Sequence, residues 1–256
     1  MGTRFFIMFL VITLCSTSYA RENRCLNCHE EHYPEYGICT SCHRGIDKTS
    51  REDIAHHMLI EGKYSYFRIK EDTRVKEGGK IIDDGGCRRC HTIGNTGSLL
   101  ASNLDISVNE KEINELILNL TEPTAYMPNY YFTDTQKIAV VNTLLNRGFG
   151  FDFRSGDDYT LVHLNEKTSG NLFSDKCGGC HMMLSKNYGG LGRYNIGPNL
   201  SGLFSDFFPH INDVKRWTTE NIKQWLKNPR DIKKNTLMPK VELNEEELDN
   251  IIRILQ

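Results

Sequence analysis

Several kinds of sequence feature are missing or scarce in this 256-residue chain. There is no basic block, and the 31 Lys and Arg are slightly outnumbered by 33 Asp and Glu, which argues against a nucleic-acid partner. No run alternates apolar and polar residues convincingly enough to specify a strand, so regular structure is expected to be mostly short helices. After the N-terminal apolar stretch Phe5 to Leu14, no segment approaches the ~20 apolar residues of a membrane span. Cysteine is not free for a disulfide framework either. Of nine, eight lie in four copies of one pattern, and the ninth, Cys15, follows the apolar stretch.

That stretch has the anatomy of an export signal. Arg4 supplies a positive start, Phe5 to Leu14 an apolar centre too short for a confident span, and Ser18-Tyr19-Ala20 a small-x-small cleavage site before Arg21. Residues 1–20 are therefore expected to be a signal peptide. Leu14 stands where a lipoprotein would have a small residue, so Cys15 is not a lipid anchor. Removal of residues 1–20 takes one basic residue and moves the formal charge from -2 to -3. The mature chain is expected to be periplasmic, with the extracellular space or cell surface as the alternative, and without a permanent membrane span.

The repeated pattern is Cys-x-x-Cys-His: Cys25, Cys28 and His29; Cys39, Cys42 and His43; Cys87, Cys90 and His91; Cys177, Cys180 and His181. Two thiols at this spacing can add to the two vinyl groups of one porphyrin, and the histidine that follows is placed to ligate its iron. A zinc ribbon would also accept the spacing of Cys25, Cys28, Cys39 and Cys42, but it requires no histidine after each second cysteine. The pattern predicts four covalently bound haem c groups. Their eight propionates would make the holoprotein more acidic than its sequence.

The motifs divide the mature chain into three modules: 21–70, 71–151 and 152–256. Modules this small bury little apolar surface on their own, and a porphyrin would add a large apolar core element. The first holds two motifs with nine residues between His29 and Cys39, so its two porphyrins must lie close together. Ser50 to Asp53 reads as a capping box opening a short helix through Leu59. Three histidines are available as distal ligands: His57 and His56, which on a helix point about 100° apart, and His32 in the inter-motif loop. His57 and His56 rank ahead of His32, and one of the three is surplus if both haems take two histidines.

The second and third modules repeat one order of landmarks. In the second, CRRCH leads to Ala101-Ser102-Asn103-Leu104, a capping box at Ser107 to Glu110, Ile113, Leu116, Ile117 and Leu120 at helical spacing, then Met127-Pro128 and a helix capped by Thr133 and Gln136. In the third, CGGCH leads to Gly197-Pro198-Asn199-Leu200, a helix from near Thr218 to Asn228-Pro229, then Met238-Pro239 and a helix capped by Asn244 and Glu247. The motif histidine lies 36 residues before the methionine in one and 57 in the other.

With these landmarks, both modules resemble class I cytochromes c. The resemblance implies two tandem helical domains, preceded by a small loop-rich dihaem module. It implies His91 with Met127, and His181 with Met238, as axial iron ligands. Pro198 would offer its carbonyl to His181, and Trp225 would pack near the haem edge. The second module departs from the family with Ala101-Ser102 where Gly-Pro is expected, which removes the proline's rigidity. His163 and His210 compete as distal ligands but read better as solvated or propionate-binding residues. The first module resembles the close-packed haem pairs of small multihaem cytochromes, where ligation by two histidines is usual.

If every iron has two protein ligands, substrate cannot bind without displacing one. The chain is therefore expected to be an electron carrier, not an enzyme. Axial methionine raises haem potential, so electrons are expected to run from the histidine-ligated pair toward the methionine-ligated domains. Expected partners, by fold-level analogy, are a quinol-oxidising membrane complex as donor and a terminal reductase or outer-membrane conduit as acceptor. Two alternatives stay open: a haem enzyme such as a peroxidase or oxyanion reductase with one open iron, and a subunit of an extracellular cytochrome filament.

Overall fold

The computed structural model describes residues 23–124, 126–150, 171–209 and 216–256. The expected signal peptide, the junction at 151/152, and His163 and His210 lie outside the described residues. The fold is mostly helical. Helices α1 (Thr40–His43), α2 (Glu52–Ala55), α3 (Thr73–Asp84), α4 (Leu104–Glu110), α5 (Ile113–Thr121) and α6 (Asp134–Gly148) lead to α7 (Leu172–Lys176). A hairpin of β1 (Met183–Ser185) and β2 (Gly189–Leu191) precedes α8 (Thr219–Lys227), α9 (Pro229–Ile232) and α10 (Glu245–Leu255). Among the described residues no helix is long and apolar enough to cross a membrane.

Three helix starts follow directly from sequence chemistry. Thr133 and Gln136, Thr218 and Asn221, and Asn244 and Glu247 each form reciprocal capping boxes opening α6, α8 and α10. Two expected boxes do not form. The Arg51 N–H at the start of α2 donates to Thr49 Oγ1, 3.1 Å away, and no side chain caps the helix. Ser107 lies inside α4, where its hydroxyl donates to Asn103 O at 3.0 Å. The actual cap of α4 is Asn103, whose Oδ1 accepts from Asp105 N at 2.9 Å.

What reads in sequence as a lead-in to the third motif is the twelve-residue α3, capped by Asp72. Its Gly78-Gly79 pair lowers intrinsic helicity by about 1 kcal/mol per glycine. Gly78 permits contact, since a Cβ there would overlap Ala139 O and Thr143 Oγ1 of α6. The Thr143 hydroxyl, in turn, donates to Val75 O at 2.8 Å.

Two apolar cores result. One surrounds α6 and includes Ile82, Val108, Leu116, Val141 and Leu145. Ile60, Tyr64 and Phe67 belong to it too, although sequence reading assigns them to the module ending at 70. Asn142 and Asn146 of α6 donate to Lys63 O and Phe67 O at 3.1 and 2.8 Å, fastening that segment along the helix. The other core joins α7, the hairpin, α8 and α10 through Phe173, Met183, Leu191, Ile222 and Ile251. The hairpin is the only pair of strands among the described residues, within the mostly helical fold expected from sequence. Its strands are three residues each, and half of their residues are not β-formers, so they leave little sequence signal.

Candidate haem-binding site

The third and fourth motifs sit in the same backbone frame. Each closes a tight turn in which the histidine N–H bonds to the carbonyl of the first cysteine, at 3.0 Å for His91 and 2.9 Å for His181. His91 Nδ1 lies 2.8 Å from Ser102 O, and His181 Nδ1 lies 2.8 Å from Pro198 O. Leu104 N donates to Thr92 O and Leu200 N to Met182 O, at 3.0 and 2.9 Å, so each acceptor segment is pinned beside its motif. A carbonyl partner fixes the proton on Nδ1 and turns Nε2 outward as a lone-pair donor for a metal. Ser102 serves as well as Pro198 because the acceptor is main chain.

Glycines let the chain return over each histidine. Gly97 (φ 131°) and Gly192 (φ 83°) occupy backbone space that L residues avoid, and a Cβ at either would overlap the carbonyl of His91 or His181.

The third module forms a mainly apolar cavity of about 360 Å³ lined by Cys177, Cys180, His181, Pro198, Trp225 and Met238. Both thiols and both expected axial groups therefore meet in one space. Trp225 Nε1 donates to Met238 Sδ at 2.9 Å, fixing the thioether. Trp217, which also lines the cavity, is only 4 % exposed, and its indole N–H has no acceptor among the described residues. An apolar space with two thiols, an imidazole, a thioether and an unpaired N–H at its wall suits a flat apolar group with polar edges, and haem is such a group.

Met127 occupies the loop between α5 and α6 and is half-buried. Its N–H donates to Thr124 O at 3.0 Å. Nearby, Tyr130 donates to Gly85 O at 2.7 Å and stacks on Phe132 with centroids 5.2 Å apart. Burial, then the neighbouring Cys87 thiol, pushes the Tyr130 hydroxyl upward. Burial also pushes the Cys87 thiol up to about 11 and the Cys177 thiol up to about 11, and holds the His91 imidazole below its ordinary value. The site thus favours neutral side chains.

The first two motifs share a larger cavity of about 600 Å³, lined by Cys25, Cys28, His29, His32, Cys39, His43 and His56. Cys42 is half-buried beside it, its thiol raised by burial. His43 is anchored as the later motifs are, with Nδ1 2.9 Å from Ile60 O, while Ile60 N returns a bond of 2.7 Å to His43 O. His32 faces it with Nε2 to Nε2 at 3.4 Å and the rings 81° apart. The two nitrogens are within hydrogen-bonding distance, and a metal held between them would draw them apart to roughly 4 Å, two metal–imidazole bonds of about 2.0 Å. His29 and His56 have ring centroids 6.0 Å apart. His57 is exposed and does not line the cavity. The structure thus brings His32 and His56 to the motif histidines, whereas sequence ranking puts His57 and His56 ahead of His32. The helix that would carry the ranking ends at Ala55, and Met58 turns left-handed (φ 58°), so helical spacing does not govern His57.

Sequence reading missed the residues that hold or line these sites: Ile60 at His43, Trp217 on the third-module cavity, and Arg89 and Asn199 beside Pro198. Two of them stand within recognisable segments, Arg89 inside the third motif and Asn199 beside Pro198. The links made by Ile60, Arg89 and Asn199 cross module boundaries, for which a linear pattern has no sign.

Residues 170–256 match the family model described as Cytochrome c. No curated protein and no solved structure matched the chain. Over residues 170–256 the chain is thus similar to a cytochrome c domain, and domains of that family carry covalently bound haem c and generally serve as electron carriers.

Proposed function

We propose that the chain is an exported tetrahaem c-type cytochrome that passes electrons between respiratory-chain partners. In this reading His29 with His56, and His43 with His32, hold the first two irons; His91 with Met127, and His181 with Met238, hold the other two. The observation that carries it is the opposed pair His32 and His43, with ring nitrogens 3.4 Å apart inside a cavity that also holds both motifs' histidines. Opposed imidazoles leave an iron no free coordination site, and that favours electron transfer over substrate chemistry. Haem supplies the redox change; the protein's residues fix the axial atoms, exclude water and set the potential.

Axial methionine raises potential relative to histidine, so electrons enter at the 23–60 end and leave from the methionine-ligated domains. The partners suited to this direction are a quinol-oxidising membrane complex as donor and a terminal reductase or outer-membrane conduit as acceptor.

The test is carbon monoxide binding to the reduced holoprotein, combined with mass measurement of haem content. The parent protein is expected to carry four haems and bind little carbon monoxide. His32→Ala and His56→Ala should each open one iron, and His57→Ala none. Ready binding by the parent protein, or fewer than four haems, would overturn the proposal. A titration resolved by haem tests the direction, which fails if the methionine-ligated pair is the more reducing.

A further inference from the structure

Asn199 is 6 % exposed and follows Pro198, the acceptor for His181. Its Oδ1 accepts from Ser201 N at 2.9 Å, a local turn that Asn103 repeats in the second module by accepting from Asp105 N. That turn needs only an acceptor, and Asp, Ser or Thr would serve it. The amide nitrogen does something else. Asn199 Nδ2 donates to Tyr126 O at 2.8 Å, across 73 residues of sequence. Tyr126 is held in the left-handed region (φ 72°) and immediately precedes Met127. Its ring lies against Gly190 of β2, where a Cβ would overlap it. From the other side, Arg89 of the third motif donates Nη1 to Asn199 O at 2.8 Å and lies over the Phe208 ring at 5.1 Å.

We infer that Asn199 is a positioning residue for the Met127 loop, so that the axial methionine of one domain is set by the domain that follows it. The inference rests on the ligand assignment above. Tyr126 is half-buried, and its carbonyl is satisfied by a side chain from the His181 loop. The same residue therefore touches the segment holding one iron's histidine and the segment holding the other iron's methionine. Arg89 ties both to the third attachment motif.

The test uses the full-length holoprotein. Asn199→Asp keeps the acceptor for Ser201 and removes the donor to Tyr126. Gly190→Ala disturbs the Tyr126 ring from β2, away from the His181 bond. For each, the near-infrared methionine-to-iron band of the oxidised protein is expected to fall by about half, with the Met238 contribution intact. Amide exchange at Met127 is expected to quicken. An unchanged Met127 exchange rate in both variants, or a loss confined to the Met238 haem, would overturn the inference. Met127→Ala separates the two ideas. If it leaves the band intact, Met127 is no ligand and the assignment fails, while exchange at Met127 in Asn199→Asp still decides whether the third module pins the loop.

Discussion

In the second module the carbonyl that receives the His91 Nδ1 bond lies eleven positions further along the chain; in the third, Pro198 lies seventeen positions after His181. Both bonds are 2.8 Å long. The extra residues are absorbed by the β1–β2 hairpin, where the second module has a tighter loop closed by a bridge between Thr92 and Gly97. Lengthening a loop from eleven to seventeen residues costs only about 0.4 kcal/mol in closure entropy, less than one ordinary hydrogen bond. The frame around the histidine is therefore held by a few main-chain contacts, and the loop between them is free to grow. In the third module that growth produced the surface on which the Tyr126 ring rests.

The equivalence of the two frames is most severely tested at their glycines. Gly97→Ala and Gly192→Ala should each cost about 2–4 kcal/mol, combining left-handed strain with overlap of the histidine carbonyl. Denaturant titration of each holoprotein variant measures this, and markedly unequal costs would show that the frames differ. A smaller effect separates the distal sides. Trp225→Phe removes the N–H donor to Met238 Sδ. Loss of about 1 kcal/mol of hydrogen bonding, on the order of 40 mV for one electron, should lower the potential of the third module's haem alone. A haem-resolved titration that moved the second module's haem equally would break the distinction. The smallest expected change is Ser102→Pro, which gives the second module the third's acceptor. It should stabilise by about 0.5 kcal/mol through a less flexible unfolded chain and leave the spectra unchanged.

The turn that each Cys-x-x-Cys-His motif makes is legible because it is local: two thiols and an imidazole lie within five residues, and the histidine N–H bonds back to the first cysteine's carbonyl. The capping boxes at Thr133 and Asn244 are legible for the same reason, whereas at Thr218 only the helix start is read and the box with Asn221 is not. Reading failed where two local partners compete. Asn103 outcompetes Ser107 as a cap, and Thr49 leaves Ser50 without that role. The helix expected through Leu59 stops at Ala55, so the spacing of His56 and His57 is not helical, and at α3 the glycines hide a helix that tertiary contact stabilises. Ile60, Tyr64 and Phe67 show a further limit. Their apolar character is plain in sequence, but which side of a boundary claims them depends on α6, more than seventy residues away.

The reciprocal bonds between His43 and Ile60 decide how portable the N-terminal pair is. Ile60 is fully buried in the core that α6 builds, so the carbonyl that orients His43 belongs to the next domain's interior. A gene fragment ending near residue 59 would encode both attachment motifs and lose the group that aims one of their histidines. Grafting this pair onto another protein would require carrying α6 and its partners along, which makes the unit of exchange nearer to 150 residues than 50.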